Sequence, residues 1–161
     1  MLINEKHSVV LLHGVAGDAF FGILKKQKAK HVVVLEGRPM LDGAKVLCRK
    51  LLKAKIEPTL ISDNMAGFLF YKDFVKEIWV AYQKKDDQGA LCSIGALILG
   101  VLGKKHNVPV YLTPAAGKTK TTGSPNDILK FEGKQIAAKG VKTYVPLVEY
   151  LPKKYITKIC Q

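Results

Sequence analysis

The chain has 161 residues, 48% apolar and 24% charged, the size and composition of one globular domain with a core of its own. Its 26 basic and 13 acidic residues leave a net charge of +13, and its three cysteines, Cys48, Cys92 and Cys160, lie far apart. That pattern excludes a disulfide scaffold and a C-x-x-C metal site and leads us to expect a reducing, cytoplasmic setting. Met1-Leu2-Ile3-Asn4-Glu5-Lys6 places an acid and a polar residue where a signal peptide would turn apolar. The apolar run 94–103 is too short to span a bilayer, so no membrane association is expected.

Residues 8–13, Ser-Val-Val-Leu-Leu-His, predict a buried strand that stops at Gly14. Residues 18–26 carry apolar side chains at helical spacing. Lys30-His31 leads into the β-branched strand 32–35, which ends at a Gly-Arg-Pro turn. Residues 41–55 predict a helix with apolar Leu41, Ala44, Leu47 and Leu51 and bases toward its C-terminal end, where the helix dipole favours them. A short strand at 59–61 follows, then a helix at 64–70 with Asp63 placed to cap it. Further on come a strand at 78–81, a helix at 93–105, a strand at 108–112 and a polar, mobile loop at 114–124. The chain closes with a short helix inside 126–138, an extended stretch at 144–150 and a final helix opened by Pro152 and running to Cys160.

Strands alternating with helices predict an α/β fold: a single Rossmann-like domain over 1–161, its mostly parallel sheet covered by helices on both faces. No internal repeat or domain boundary is visible.

The charge is lopsided. From Lys104 onward there are 11 basic and 3 acidic residues, and Arg38 and Arg49 are the only arginines in the chain. An anionic partner such as nucleic acid fits that balance. A lysine-rich solvated surface fits it as well, since phosphate clamps favour arginine forks and no aromatics alternate with these lysines.

Four segments carry the chemistry, and all fall at strand ends, where open α/β sheets bind ligands. They are Leu12-His13-Gly14-Val15-Ala16-Gly17; Glu36-Gly37-Arg38-Pro39 with Asp42-Gly43-Ala44; Ser62-Asp63-Asn64-Met65-Ala66-Gly67; and Val80-Ala81-Tyr82 with Cys92-Ser93-Ile94-Gly95-Ala96. From the residues alone, the first is a glycine-rich turn with a histidine that titrates near neutrality. In the second, Pro39 keeps Arg38 out of helical geometry, free to fork onto phosphate or to pair with Glu36 or Asp42. The third is a helix start. The pair Asp86 and Asp87 reads as a solvated turn.

In order and spacing, the set resembles the C-terminal domain shared by methylthioribose-1-phosphate isomerase, ribose-1,5-bisphosphate isomerase and the regulatory subunits of translation initiation factor 2B. The segments resemble that family's T-H-C-N-x-G, E-[ST]-R-P with Gln-Gly-Ala, T-D-N-M-A, G-A-D-R-I and N-K-I-G-T, with a fainter echo of F-D-x-T-P-x-x-L-I-T at 145–156. What the resemblance implies is a sugar-phosphate cleft built from His13, Gly14, Gly17, Arg38, Asp42, Asp63, Asn64, Tyr82, Cys92 and Ser93. It also implies that the reacting groups are gone. The isomerase Cys and Asp positions read Gly14 and Tyr82, the substrate-holding Asn and Lys read Cys92 and Ser93, and Asp42 stands where a Gln contacts substrate. Moving hydrogen between sugar carbons needs a positioned acid or base, and a phenol of ordinary pKa is a poor one.

The expectation is therefore a non-catalytic binding or regulatory module without metal or cofactor, taking a small phosphorylated ligand. The competing class is an isomerase whose groups have moved to His13, Asp63, Tyr82 or Cys92. A third is an RNA-associated basic module. The family's helical N-terminal domain, which supplies part of the phosphate site, has no counterpart in this sequence. The helix at 94–103 either lies in the core or forms part of a homodimer contact.

Overall fold

The computed structural model describes residues 9–27 and 31–160; the readings for Met1 to Lys6, Ser8 and Lys30 fall outside them. Strand β1 (Val9–His13) is buried along its whole length between β2 (His31–Leu35) and β4 (Val75–Lys85), both parallel to it. Beyond β2 lies β3 (Pro58–Ile61); beyond β4 lie β6 (Val110–Pro114) and β10 (Lys158–Ile159). The parallel order is β3-β2-β1-β4-β6-β10. The chain thus winds outward from β1 to β3, then returns to build the other half. Connections leaving in opposite directions part company between β1 and β4, and a crevice opens there at the carboxyl ends.

Alternation along β1 sends Val9 and Leu11 to one face and Val10 and Leu12 to the other. The first face is covered by α3 (Ala66–Tyr71), through Leu69 and Phe70, and by α4 (Ala96–His106), through Ala96 and Leu99. The second is covered by α1 (Asp18–Gln27), through Phe20 and Leu24, and by α2 (Cys48–Lys53), through Leu51. Phe20 meets Trp79 of β4 with ring centroids 5.0 Å apart, a contact contributing about 1 kcal/mol beyond its buried area. The fold is the expected Rossmann-like α/β sheet with helices on both faces.

The structure departs from the sequence reading in its connections. The helix expected at 41–55 starts as a π-helical turn, Gly43–Leu47, before settling into α2. Asp63 does not cap the next helix. A 3-10 turn, Asp63–Met65, precedes α3, and the Asp63 carboxylate is engaged elsewhere. Strand β4 overruns the parallel sheet and pairs antiparallel with β5 (Gly89–Ser93), which occupies the residues before α4. The turn between them is set by Asp86, whose carboxylate accepts from the backbone N–H groups of Gln88 and Gly89. Strand β5 pairs in turn with β9 (Val148–Pro152).

The loop at 114–124 is fastened rather than mobile: Ala116 N–H donates to Val15, Thr119 N–H to the Gln83 side chain, and Gly123 N–H to Val145. Within 126–138 only α5 (Asn126–Leu129) is helical; a small hairpin of β7 (Lys130–Phe131) and β8 (Lys134–Gln135) follows. The final helix does not form. A 3-10 turn, Lys153–Tyr155, hands the chain to β10, because the open edge of β6 captures Thr157: its hydroxyl accepts from Val110 N–H at 3.0 Å and its own N–H donates to Val110.

Candidate functional site

His13 ends β1 at the crevice and is 3% exposed. Its Nε2 lies 2.9 Å from the Ile94 carbonyl. A carbonyl only accepts, so Nε2 carries the proton, and in the neutral ring Nδ1 is left as an acceptor. That Nδ1 is buried without a partner among the described residues. Burial holds the imidazole below its ordinary pKa, while Asp63 and the carbonyls of Ile94 and Ser93 pull the other way. Gly95, at φ +103, is what lets the chain turn beside the ring; a Cβ there would stand 3.2 Å from it.

Arg38 follows β2 in a loop whose conformation is imposed from outside. Asp63 accepts from Gly37 N–H at 2.9 Å with one carboxylate oxygen and from Arg38 N–H at 2.7 Å with the other. The Arg38-Pro39 peptide is cis. Among the described residues the guanidinium makes no ion pair with Glu36 or Asp42, the structural alternative raised by the sequence. The one described salt bridge joins Lys50 to Asp18. The guanidinium instead stands over the ring of Phe131, 5.1 Å from its centroid.

His13, Gly14, Arg38, Asp42 and Ser93 line one cavity of about 30 Å³, with Gly37, Pro39, Met40, Gly43, Ile94, Thr119 and Leu147 completing its wall. A second cavity of about 230 Å³ shares Asp42, Ser93 and Thr119 with the first and continues along Val15, Ala116 and Lys118. The first admits little more than water and the second a small molecule. Cationic groups approach from Arg38 and Lys118, whereas the Asp42 carboxylate repels an anion from its own side.

The remaining sequence candidates lie elsewhere. Tyr82 and Cys92 are cross-strand partners on β4 and β5, and both face the core beneath α4. Ser93, one residue along the pleat, turns to the cleft instead. The Cys92 thiol is pushed up to about 12 by burial and by the Glu149 carboxylate, so it is held as a thiol. Asn64 is exposed on the 3-10 turn. Gly17 brings the β1–α1 loop against β6, its N–H donating to Pro114 at 2.9 Å. Among the described residues no group of His, Cys, Asp and Glu is arranged to hold a metal ion.

Two neighbours of the cleft escaped the sequence reading. Glu149 of β9 reaches the N-terminus of α4 and accepts from Gly95 N–H at 2.7 Å and Leu97 N–H at 2.8 Å with a single oxygen. Phe131, from the exposed hairpin, is the other. Neither contact has a local signature, since each joins residues remote in sequence. Position 149 does fall on the acidic place of the F-D-x-T-P echo, which was the one available hint.

The model of the initiation factor 2 subunit family matches residues 2–160. A methylthioribose-1-phosphate isomerase from Thermus thermophilus is 30% identical over 159 residues, covering 91% of this chain and 48% of that protein. Subunit delta of the translation initiation factor eIF-2B from A. fulgidus superposes with a TM-score of 0.83 at 24% identity, covering 94% of this chain and 51% of that one. The 5-methylthioribose 1-phosphate isomerase from Pyrococcus horikoshii gives the same TM-score of 0.83 and 24% identity, covering 95% and 49%. The chain spans about half the length of the relatives it matches. Among the described residues no helix is long and apolar enough to cross a membrane.

Proposed function

The chain belongs to the initiation factor 2 subunit family, and on that premise we propose that it is a non-catalytic binding or regulatory module whose cleft takes a small phosphorylated ligand such as a sugar phosphate. The observation that carries this reading is that a buried, unpartnered imidazole nitrogen and a guanidinium without an ion pair among the described residues line the same cavity at the switch point. His13 offers a buried Nδ1 acceptor for a ligand hydroxyl, and Arg38 offers a guanidinium without an ion pair for a phosphate. The groups that would do isomerase chemistry are not poised there. Gly14, in the position of the isomerase cysteine, sits at φ +77, and a Cβ on it would lie 3.1 Å from that of Ala81. Tyr82 and Cys92 point into the core, and Asp63 is committed to the backbone of the Arg38 loop.

Thermal-shift and calorimetric titration with ribose 5-phosphate, methylthioribose 1-phosphate and nucleoside monophosphates test the reading, alongside an aldose–ketose isomerisation assay. A ligand that binds the folded state raises the melting temperature by mass action. The expected result is stabilisation by at least one phosphorylated compound, lost in Arg38→Ala, without turnover. Turnover of methylthioribose 1-phosphate that disappears in Asp63→Asn would favour a relocated isomerase site instead.

A second reading concerns assembly. Met65, Phe68 and Tyr71, spaced three residues apart, are 53%, 58% and 74% exposed, beside Ile98 at 65% and Val101 at 44% on α4. Helices α3 and α4 cover the same face of the sheet, and we infer that these exposed side chains, with Lys72 standing over the Phe68 and Tyr71 rings, offer a mixed apolar and cationic face to a second copy of the chain. Sedimentation at micromolar concentration tests it: a dimer converted to monomer by Phe68→Asp supports the interface, and a monomeric wild type rules it out.

A further inference from the structure

The β7–β8 hairpin presents an anomaly. Its residues are exposed, and among the described residues the hydrogen bonds of 130–136 stay within 126–137, the Lys130 N–H donating back to Asn126 of α5. The turn, Glu132-Gly133, has both residues at positive φ, +49 and +79, the geometry of a tight two-residue hairpin. An arm so little tied to the body still brings Phe131, 40% exposed, beneath the guanidinium of Arg38. Arg38 in turn lines the cleft, with its backbone fixed by Asp63.

We propose that Phe131 is a positioning residue for anion recognition: its ring holds the Arg38 guanidinium while leaving N–H donors for a phosphate, and ligand binding anchors the hairpin across the cleft mouth. The physical basis is that an aromatic ring attracts a cation through its π face without consuming hydrogen-bond donors. A carboxylate partner would take those same donors. Asp63 is engaged by backbone amides, and among the described residues no carboxylate, Glu36, Asp42 and Glu132 included, pairs with the guanidinium. Arg38 is therefore steadied and still available. Lys130 and Lys134 outnumber Glu132, the one acid of the hairpin, so the arm that carries Phe131 has a net positive charge that an anion held at Arg38 attracts. The proposal rests on the reading of the cleft as a phosphate site and adds to it the element that completes that site.

The test is calorimetric titration of the full chain with inorganic phosphate and ribose 5-phosphate, with thermal melts confirming that each variant folds. Phe131→Ala is expected to weaken binding about three- to tenfold, Phe131→Tyr to restore it, and Phe131→Leu to behave as the alanine variant, since it keeps size but not the π face. Tryptic cleavage at Lys130 and Lys134 is expected to slow on saturation in wild type and not in Phe131→Ala. Equal affinity of wild type and Phe131→Ala overturns the proposal. So does an equal loss in the Ala, Leu and Tyr variants, which marks a merely structural role. Failure of wild type to bind either probe is a different result: it overturns the cleft reading itself, and this inference with it.

Discussion

Asp63 holds Arg38 from behind: its carboxylate takes the Arg38 N–H at 2.7 Å and the neighbouring Gly37 N–H at 2.9 Å. A residue at the end of β3 thus fixes the loop at the end of β2, and the cavity wall depends on a side chain absent from its lining. Asp63→Ala leaves both amides without that acceptor and removes charge-assisted bonds, at a cost of about 2–4 kcal/mol by urea denaturation. Asp63→Asn retains one amide oxygen and costs about half as much. Both variants should weaken phosphorylated ligands, although Asp63 is placed to act through the loop. Unchanged stability in Asp63→Ala would show that the loop holds without this clamp.

His13 makes the protein sensitive to mild acid. Its folded pKa lies below the ordinary value of 6.5 because burial disfavours the imidazolium. Well above pH 6.5 the ring is neutral in both states and contributes nothing to the slope. As the pH falls below 6.5, the unfolded chain takes up a proton that the folded one refuses. Stability then drops toward the folded pKa, by at most about 1.4 kcal/mol per pH unit. Subtracting the pH 5.5–7.5 stability profile of His13→Gln from that of wild type isolates this contribution from the carboxylates. A flat difference would mean that the imidazole charges freely in the folded state.

How far the sequence disclosed this arrangement depended on whether a signal was local. Strands β1, β2 and β6 were legible because burial on both faces demands unbroken apolar runs such as Val32-Val33-Val34-Leu35. Strand β9 was legible only in part, as the end of the extended stretch at 144–150, and β5 was not: Gly89-Ala-Leu-Cys-Ser has no β-branched residue, and its partners at 148–152 lie far along the chain. The same limit applied at the cleft. Motif spacing put His13, Gly14, Arg38, Asp42 and Ser93 at strand ends, where one cavity gathers them. It could not tell Cys92 from Ser93, which pleating turns to opposite sides, nor foresee that Asp63 would leave its own helix for Gly37 and Arg38. The helix expected after Pro152 failed because the open edge of β6 competed for the same backbone.

Gly43 and Gly67 should respond to alanine with opposite signs. A Cβ on Gly43 would fall 1.9 Å from the Leu35 carbonyl oxygen, so the π-helical turn and β2 approach as closely as they do only over glycine. Gly43→Ala must separate backbones on both sides of the cleft wall and should cost about 3 kcal/mol or more, by the logic of overpacking. Gly67 lies in α3 with nothing within 4 Å of the added atom. Alanine there should stabilise by about 0.5–1 kcal/mol through helix propensity. Two chemical denaturation curves decide the matter, and matching signs would refute the close approach at Leu35.

Glu149 serves α4 as an internal anion. Both N–H groups it satisfies, those of Gly95 and Leu97, belong to the end of α4 that abuts His13 and the cleft. Glu149→Ala removes a shared acceptor and a charge from the positive end of the helix dipole, and should lower stability by about 1–2 kcal/mol. Glu149→Gln keeps an acceptor oxygen and should lose only the charge component, about 0.5 kcal/mol, less as salt is raised. The variants also bear on His13, whose pKa the Glu149 carboxylate raises. With that charge gone the imidazole should resist protonation further, and the acid-dependent loss of stability should extend to lower pH in Glu149→Gln than in wild type. An unaltered pH profile would place Glu149 too far from the ring to matter electrostatically, and would leave helix capping as its sole role.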